Sequence, residues 1–344
     1  MAIEIIATGR AVPPRRVTND DLAERLDTSD EWIRSHTGIG ARHIVDDGIA
    51  VSDLALDAAR NALNQAVEER LVQETSVEDL AGTLDLIILG TSTPDYQVCP
   101  ATACIIQDKL GASHAGAMDI GVGCSGFVYS LETAAGLLEL QGGRKRALVI
   151  GAETLSLFVD WNDRSSCILF GDGAGAFFIE KTSAPREGPG KRGLIKTILG
   201  SDGAGAENLI VRKGGSRNAY RAGDTLDTTP HLEMDGRAVY NFAVKKVCEI
   251  LEQLLSEENL TIDAVDRIVP HQANARIIQA AAKRLGIPEE KFFMNIEDYA
   301  NTSAASIPIA LDELNRSGGL RRGDLLLIVG FGAGLAYGGS LIVW

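Results

Sequence analysis

The sequence predicts a duplicated α/β protein, two copies of a βαβαβαββ unit packed as two sheets with helices between and outside them. Three observations carry this reading. Short apolar runs alternate with helical patterns along the chain. The same order recurs on either side of the loop-like stretch SAPREGPGKRG at 183–193. Each copy closes on a glycine turn leading into a strand, GDGAGAFFI at 171–179 and GFGAGLAYGGSLIV at 330–343. The halves are residues 1–182 and 183–344, with chemistry expected where they meet.

In the first copy Ile3 to Ala7 reads as a strand, Val51 to about Val72 as a helix, Asp85 to Gly90 as a strand and Ala101 to Leu110 as a helix. A long apolar helix follows Cys124, Ala147 to Ala152 forms the next strand, and GDGAGAFFI leads into the last. The second copy begins with a strand at Leu194 to Gly200, a helix at Gly236 to Leu255, a strand at Val265 to Val269 and a helix at Ala273 to Leu285. It continues with a short strand near Phe292 to Met294, a helix from near Thr302 and a strand at Leu325 to Val329, before the closing glycine turn and strand. On this alignment Cys124 and Asn301 are equivalent, each at the start of the third helix of its copy.

Composition narrows the function. The chain has 344 residues, 45% of them hydrophobic and 23% charged, enough for a large core and far from a disordered composition. Five cysteines (Cys99, Cys104, Cys124, Cys167, Cys248), an odd number without CxxC spacing, argue against a zinc ribbon or a disulfide framework and fit a reducing cytosol. The amino terminus lacks a signal-peptide pattern and no segment approaches the roughly 20 apolar residues of a membrane span, so a soluble, unprocessed, cytoplasmic protein is expected. A net charge of −14 disfavours nucleic acid and requires any acidic partner to dock on a local basic patch.

The most informative stretch is DIGVGCSGFVYSLETAAGLL at 119–138, which places Cys124 where a strand breaks through glycines into a helix. Helix-start amides carry partial positive charge, so they are expected to lower the thiol pKa and then to hold an oxyanion. A buried structural cysteine is the plainer alternative. His271 stands at a strand-to-helix junction in VPHQAN, where ligands collect in α/β folds, although a lone histidine also serves as an ordinary buried polar group. Asn301 in NTSAASIP doubles as a good helix cap. One nucleophile and two hydrogen-bond donors at three interior helix starts suit acyl transfer through a thioester.

Cys124 in GCSGF, His271 in VPHQAN and Asn301 in NTSAASIP, with FGDGAGA and the closing GFGAG, resemble the type III β-ketoacyl-acyl carrier protein synthases of the thiolase superfamily. The resemblance spans essentially the whole chain. It implies the five-layered αβαβα thiolase-like fold, a homodimer, and initiation of fatty-acid synthesis with acyl-CoA and malonyl-acyl carrier protein as substrates and no cofactor. Cys124 then takes the acyl group, His271 and Asn301 donate to the malonyl enolate, and the Cys124 and Ala333 backbone N–H groups form the oxyanion hole; the family often has glycine at position 333. Trp32 and Arg164 resemble the pair that sandwiches the CoA adenine, Asn274 the pantetheine contact and Arg276 the carrier-protein docking residue. His36 stands where the family commonly has arginine, with Arg34 or Arg42 as compensating cations. Cys99, before Pro100, takes the place of a residue that closes the partner's acyl tunnel, and its small size implies room for primers larger than acetyl. A specialised relative of secondary metabolism, a cysteine hydrolase and a noncatalytic scaffold are the rival readings; the papain-like signature is absent and the triad is complete.

Overall fold

The computed structural model describes residues 1–140, 142–188, 190–223 and 231–344; position 189 of the expected loop between the copies lies outside them. In chain order the first copy supplies β1 (Ala2–Ala11), α1 (Val51–Glu68), β2 (Leu86–Gly90), α2 (Thr102–Leu110), β3 (Gly116–Ile120), α3 (Gly126–Glu139), β4 (Arg146–Thr154) and β5 (Asp172–Thr182). The second supplies β6 (Gly193–Ser201), α4 (Gly236–Glu257), β7 (Arg267–Pro270), α5 (Ala275–Leu285), α6 (Ser306–Arg316), β8 (Leu325–Gly332) and β9 (Ala336–Val343).

The first sheet has the order β1-β5-β4-β2-β3, the second β6-β9-β8-β7. Equivalent neighbours pair in the same sense, β1–β5 and β6–β9 antiparallel, β4–β2 and β8–β7 parallel. Each sheet is apolar on both faces, which is why its strands read as continuous apolar runs. In β4, Leu148 and Ile150 face α1 and α2, while Ala147 and Val149 face the centre. In β8, Leu327 and Val329 face α4 and α5, while Leu326 and Ile328 share the central core with β4. The central layer is α3 and α6, whose buried Phe127, Leu131, Ile307 and Leu311 fill the space between the sheets. The layers are therefore helix, sheet, helix pair, sheet, helix, the thiolase-like arrangement.

The expected strand near Phe292 is reduced to one bridge to Ile268, in the place that β3 holds in the first sheet. The buried side chain of Gln272 explains this. It donates to the Phe293 carbonyl at 3.2 Å and accepts from Asn295 N–H at 3.1 Å, taking backbone groups that a longer ladder would have paired. The helix from Val51 stops at Glu68 rather than near Val72, because Arg70 turns left-handed at φ 56° and Leu71 N–H bonds back to the Ala66 carbonyl. The helix expected from Ala273 starts at Ala275, capped by the Asn274 side chain, which accepts from Arg276 N–H at 2.9 Å. Outside the predicted elements, a helix at Asp30–Thr37 lies in the connection between the antiparallel strands Arg16–Thr18 and Ala41–His43, and a two-stranded ribbon pairs Leu209–Val211 with Leu232–Met234.

Candidate active site

Cys124 lies in a single 3₁₀ turn, Gly123–Ser125, one residue ahead of the first residue before α3 rather than on the helix itself. The turn needs Gly123, whose φ is 51° and where a Cβ would sit 2.9 Å from the Ala333 backbone nitrogen. Reciprocally, a Cβ on Gly332 would sit 2.7 Å from the Cys124 nitrogen. Two glycines thus bring the backbones of Cys124 and Ala333 into contact. The thiol does not follow the sequence expectation of a lowered pKa. Burial pushes it up to about 12; the Ser303 hydroxyl pulls it down and the charge of Glu153 pushes it further up. Loss of solvation outweighs the helix-start amides here.

His271 follows Pro270 at the end of β7, four residues before α5, so it is a strand-end group and not a helix-start group. Its backbone N–H is held by the Val329 carbonyl at 2.7 Å, and its ring meets Phe331 edge-on at 5.1 Å. Nδ1 lies 2.6 Å from the Ser306 hydroxyl, and that oxygen also receives the Gln272 backbone N–H at 3.4 Å. The Ser306 hydroxyl can accept the Gln272 N–H and donate to Nδ1 at once, the arrangement in which the ring carries its proton on Nε2. Burial pulls the histidine down to about 3, so it is a neutral donor at physiological pH.

Asn301 is strung between backbone partners: its N–H bonds the Leu169 carbonyl and its carbonyl accepts from Gly171 N–H. Its side-chain oxygen accepts from Ser303 N–H at 2.8 Å, which leaves the NH₂ as the group to offer a substrate. The flanking backbone is costly. Ala300 has φ 56° with ψ −157° and Ser303 has φ 49°, regions that L-residues occupy only under constraint. The expected equivalence with Cys124 fails in register. The turn Ser303–Ala305 precedes α6 as Gly123–Ser125 precedes α3, so Ala304 matches Cys124 and Asn301 lies upstream of the turn. Sequence spacing misplaced it because a cap and a turn residue look alike.

Cys124, His271, Asn301 and Ala333 line one cavity of about 430 Å³, with Trp32, His36 and Asn274 on the same wall system. Arg164 is not among its lining residues; its guanidinium lies 4.8 Å from the Trp32 ring centroid and donates to the Asp27 carbonyl. An adenine between the two needs about 7 Å, two aromatic contact distances, so the slot is closed on itself in this conformation. The His36 ring stacks on Trp32 at 4.3 Å, with Nδ1 2.7 Å from the Trp32 carbonyl. Neither compensating cation is free: Arg34 pairs with Asp30 at 2.9 Å and Glu297 at 2.6 Å, and Arg42 is fully buried on Asn19 and the Ile168 carbonyl. Asn274 spends its oxygen on the α5 cap and one N–H on the His36 carbonyl at 3.2 Å. Arg276 is exposed and reaches the Ser35 carbonyl at 3.0 Å, while Cys99 is exposed and lies outside its own chain's cavity lining.

Sequence reasoning missed Glu153, Ser303 and Ser306. Glu153 had a signal, a single acidic residue at the end of the apolar run ALVIGAET; the two serines had none.

A cysteine, a neutral histidine and a carboxamide in one cavity between duplicated sheets define an acyl-transfer enzyme of the thiolase type. Profiles of 3-oxoacyl-[acyl-carrier-protein] synthase III match residues 118–203, and of its C-terminal part residues 255–344. The chain is 45% identical over 340 residues to the β-ketoacyl-[acyl-carrier-protein] synthase III of Clostridium perfringens, covering 98% of each. It is 44% identical over 345 residues to that of Caldanaerobacter subterraneus subsp. tengcongensis, covering 100% of this chain and 98% of the relative. The crystal structure of 3-oxoacyl-[acyl-carrier-protein] synthase III from Aquifex aeolicus superposes with a TM-score of 0.86 at 40% identity, over 100% of both chains. The chain belongs to the β-ketoacyl-[acyl-carrier-protein] synthase III family, the acyltransferases that initiate fatty-acid synthesis. Among the described residues no helix is long and apolar enough to cross a membrane.

Proposed function

We propose that the chain condenses an acyl-CoA primer with malonyl-acyl carrier protein in two half-reactions at this cavity. In the first, Cys124 sulfur attacks the primer thioester and CoA leaves; the Cys124 and Ala333 N–H groups receive the tetrahedral oxyanion. In the second, malonyl loses carbon dioxide, and the enolate is held by His271 Nε2–H and the Asn301 NH₂ before its carbon attacks the acyl-enzyme. Decarboxylation itself supplies the carbanion, so this chemistry calls for no resident cofactor. The observation that carries the reading is the commitment of the other ends of both donors, His271 Nδ1 to Ser306 and the Asn301 oxygen to Ser303 N–H. Each keeps a donor for a developing negative charge.

Trp32, His36, Asn274 and Arg164 are assigned to CoA and pantetheine, with Arg164 swinging off Trp32 to admit adenine, and Arg276 to the carrier protein. We assign the working form as a cytoplasmic homodimer. Val98 is 91% and Tyr96 57% exposed beside Cys99, an apolar loop tip that a second copy would cover. The relatives' names do not favour the secondary-metabolism alternative. Intact-mass analysis with labelled acetyl-CoA tests the core of the proposal. A single acyl adduct should form and vanish in Cys124→Ser; an adduct mapped to Cys99, Cys104, Cys167 or Cys248 would refute it.

A further inference from the structure

Glu153, at the end of β4, is a fully buried carboxyl that the proposed mechanism leaves unused. The loop after β2 holds it from within the first copy. Ser92 N–H donates to both oxygens at 3.1 Å, and the Thr93 and Thr91 hydroxyls donate to Oε2 at 2.8 and 3.4 Å. That loop is itself fixed, since Thr93 N–H donates to the Thr91 hydroxyl and Thr154 N–H to the Thr93 hydroxyl. A further bond crosses between the copies. The Ser303 hydroxyl donates to Oε1 at 2.9 Å, and the Ser303 N–H donates to the Asn301 side-chain oxygen at 2.8 Å. Ser303 thus joins a buried carboxyl to an amide that lines the catalytic cavity. Its backbone is left-handed, φ 49°, a conformation that strains a serine and that sets the direction of its N–H. The turn is also seated closely on β4: a Cβ on Gly151 would lie 2.2 Å from the Ala304 carbonyl, so glycine is needed there.

We propose that Glu153 is a positioning residue for Asn301, holding the Ser303–Ala305 turn so that the Asn301 NH₂ faces the malonyl enolate. The inference rests on the acyl-transfer reading above, in which Asn301 is one of two donors to that enolate. A carboxamide has unlike ends. Rotated by half a turn it would present its oxygen to an oxygen gaining negative charge, and stabilisation would become repulsion. The Ser303 N–H opposes that rotation, and it points at the Asn301 oxygen only while Ser303 keeps its left-handed backbone. Left untied, a serine relaxes toward the negative φ that L-residues prefer. Glu153 resists the relaxation through the Ser303 hydroxyl. A carboxyl gripped by Thr91, Ser92 and Thr93 of its own copy does not follow the serine as it moves. The first copy thereby fixes the orientation of a donor that belongs to the second.

The test follows both half-reactions in Ser303→Ala, Ser303→Gly, Glu153→Gln and the double variant Glu153→Gln/Ser303→Gly. Cys124 acylation from acetyl-CoA is read by intact mass, and carbon dioxide release from malonyl-acyl carrier protein is read on the acylated enzyme. Alanine at 303 is strained and untied, whereas glycine is untied but unstrained at φ 49°. Release should therefore fall about tenfold further in Ser303→Ala than in Ser303→Gly, in kcat and not in KM. Whatever the lost hydroxyl does to the Cys124 thiol is common to both, so acylation should be the same in the two and their difference reads the turn. Glu153→Gln sets an NH₂ among donors and loosens the grip on Ser303, so release should slow, and adding Ser303→Gly should restore part of the rate because glycine needs no holding. Equal release in Ser303→Ala and Ser303→Gly would show that the turn needs no tie and overturn the proposal; this pair decides it even where Glu153→Gln does not fold. Absence of rescue in the double variant would break the link from Glu153 to Ser303. Equal losses of acylation and release in Glu153→Gln, with a lowered melting temperature, would make the group merely structural and also overturn it. If Asn301→Ala releases carbon dioxide at the wild-type rate, the donor reading fails and the positioning role with it, whereas the other results reject the role alone.

Discussion

The two copies make the same left-handed kink ahead of their central helices and fill it differently. In the first the kinked residue is Gly123 at φ 51°, and the Ala333 backbone occupies the space a side chain would need. In the second it is Ser303 at φ 49°, whose hydroxyl reaches Glu153. The kink itself costs an L-residue about 1–2 kcal/mol, a cost the second copy carries and the first avoids. Where two backbones must touch, glycine is the only fit; where a hydroxyl is wanted, strain is tolerated. The same division runs through the proposed chemistry, the first copy supplying the nucleophile and the second the two donors to the enolate.

The strongest way to break this contrast is Gly123→Ala. The added Cβ meets the Ala333 nitrogen at 2.9 Å in a disfavoured φ, so the variant should be destabilised by about 2–4 kcal/mol and lose acyl loading almost entirely. A wild-type melting temperature with intact loading would show that the two loops do not touch. Next come His271→Ala and Asn301→Ala, expected to slow decarboxylation and condensation by about 10²–10³ while the Cys124 adduct still forms. Equal losses in both half-reactions would erase the division of labour between the copies.

Much of the fold was open to sequence reasoning because both sheets are buried on two faces. Runs such as ALVIGA and LLLIVG have no other stable placement, and the matching glycine-rich stretches from 171 and 330, read as turns but largely strand in the structure, pointed to the repeat. What stayed hidden was decided by side chains reaching across the sequence. Gln272 replaces a strand ladder at Phe293, an effect no local propensity records. That Cys124, His271 and Asn301 share one cavity agrees with their placement by motif, but the thiol's raised pKa was not legible: a helix-start dipole is visible in sequence, whereas complete desolvation depends on how both copies close over the sulfur.

A smaller effect sharpens the contrast within the second copy. Ser306→Ala removes the partner that fixes His271 Nδ1, so condensation should fall by up to about tenfold, the value of one hydrogen bond, with loading unchanged. Nitrogen NMR of the imidazole should then report a mixture of tautomers instead of the Nε2–H form. The smallest expected change is outside the cavity. Arg276→Glu should raise KM for malonyl-acyl carrier protein several-fold through lost electrostatic docking and leave CoA loading alone; an unchanged KM would remove Arg276 from the docking surface.

The unequal margins of the two sheets bear on how copies of this chain can assemble. Arg322 donates to the Ile5 and Ile6 carbonyls of β1, at 2.8 and 2.9 Å, blunting that border of the first sheet. In the second sheet the Phe292 segment and Gln272 close the border beyond β7, the place that β3 holds in the first. On the other side of the first sheet β3 is the outermost strand. Joining β3 to β3 about a twofold axis would consume that border in both copies at once, so growth by this route ends at a pair and cannot run on into a fibre.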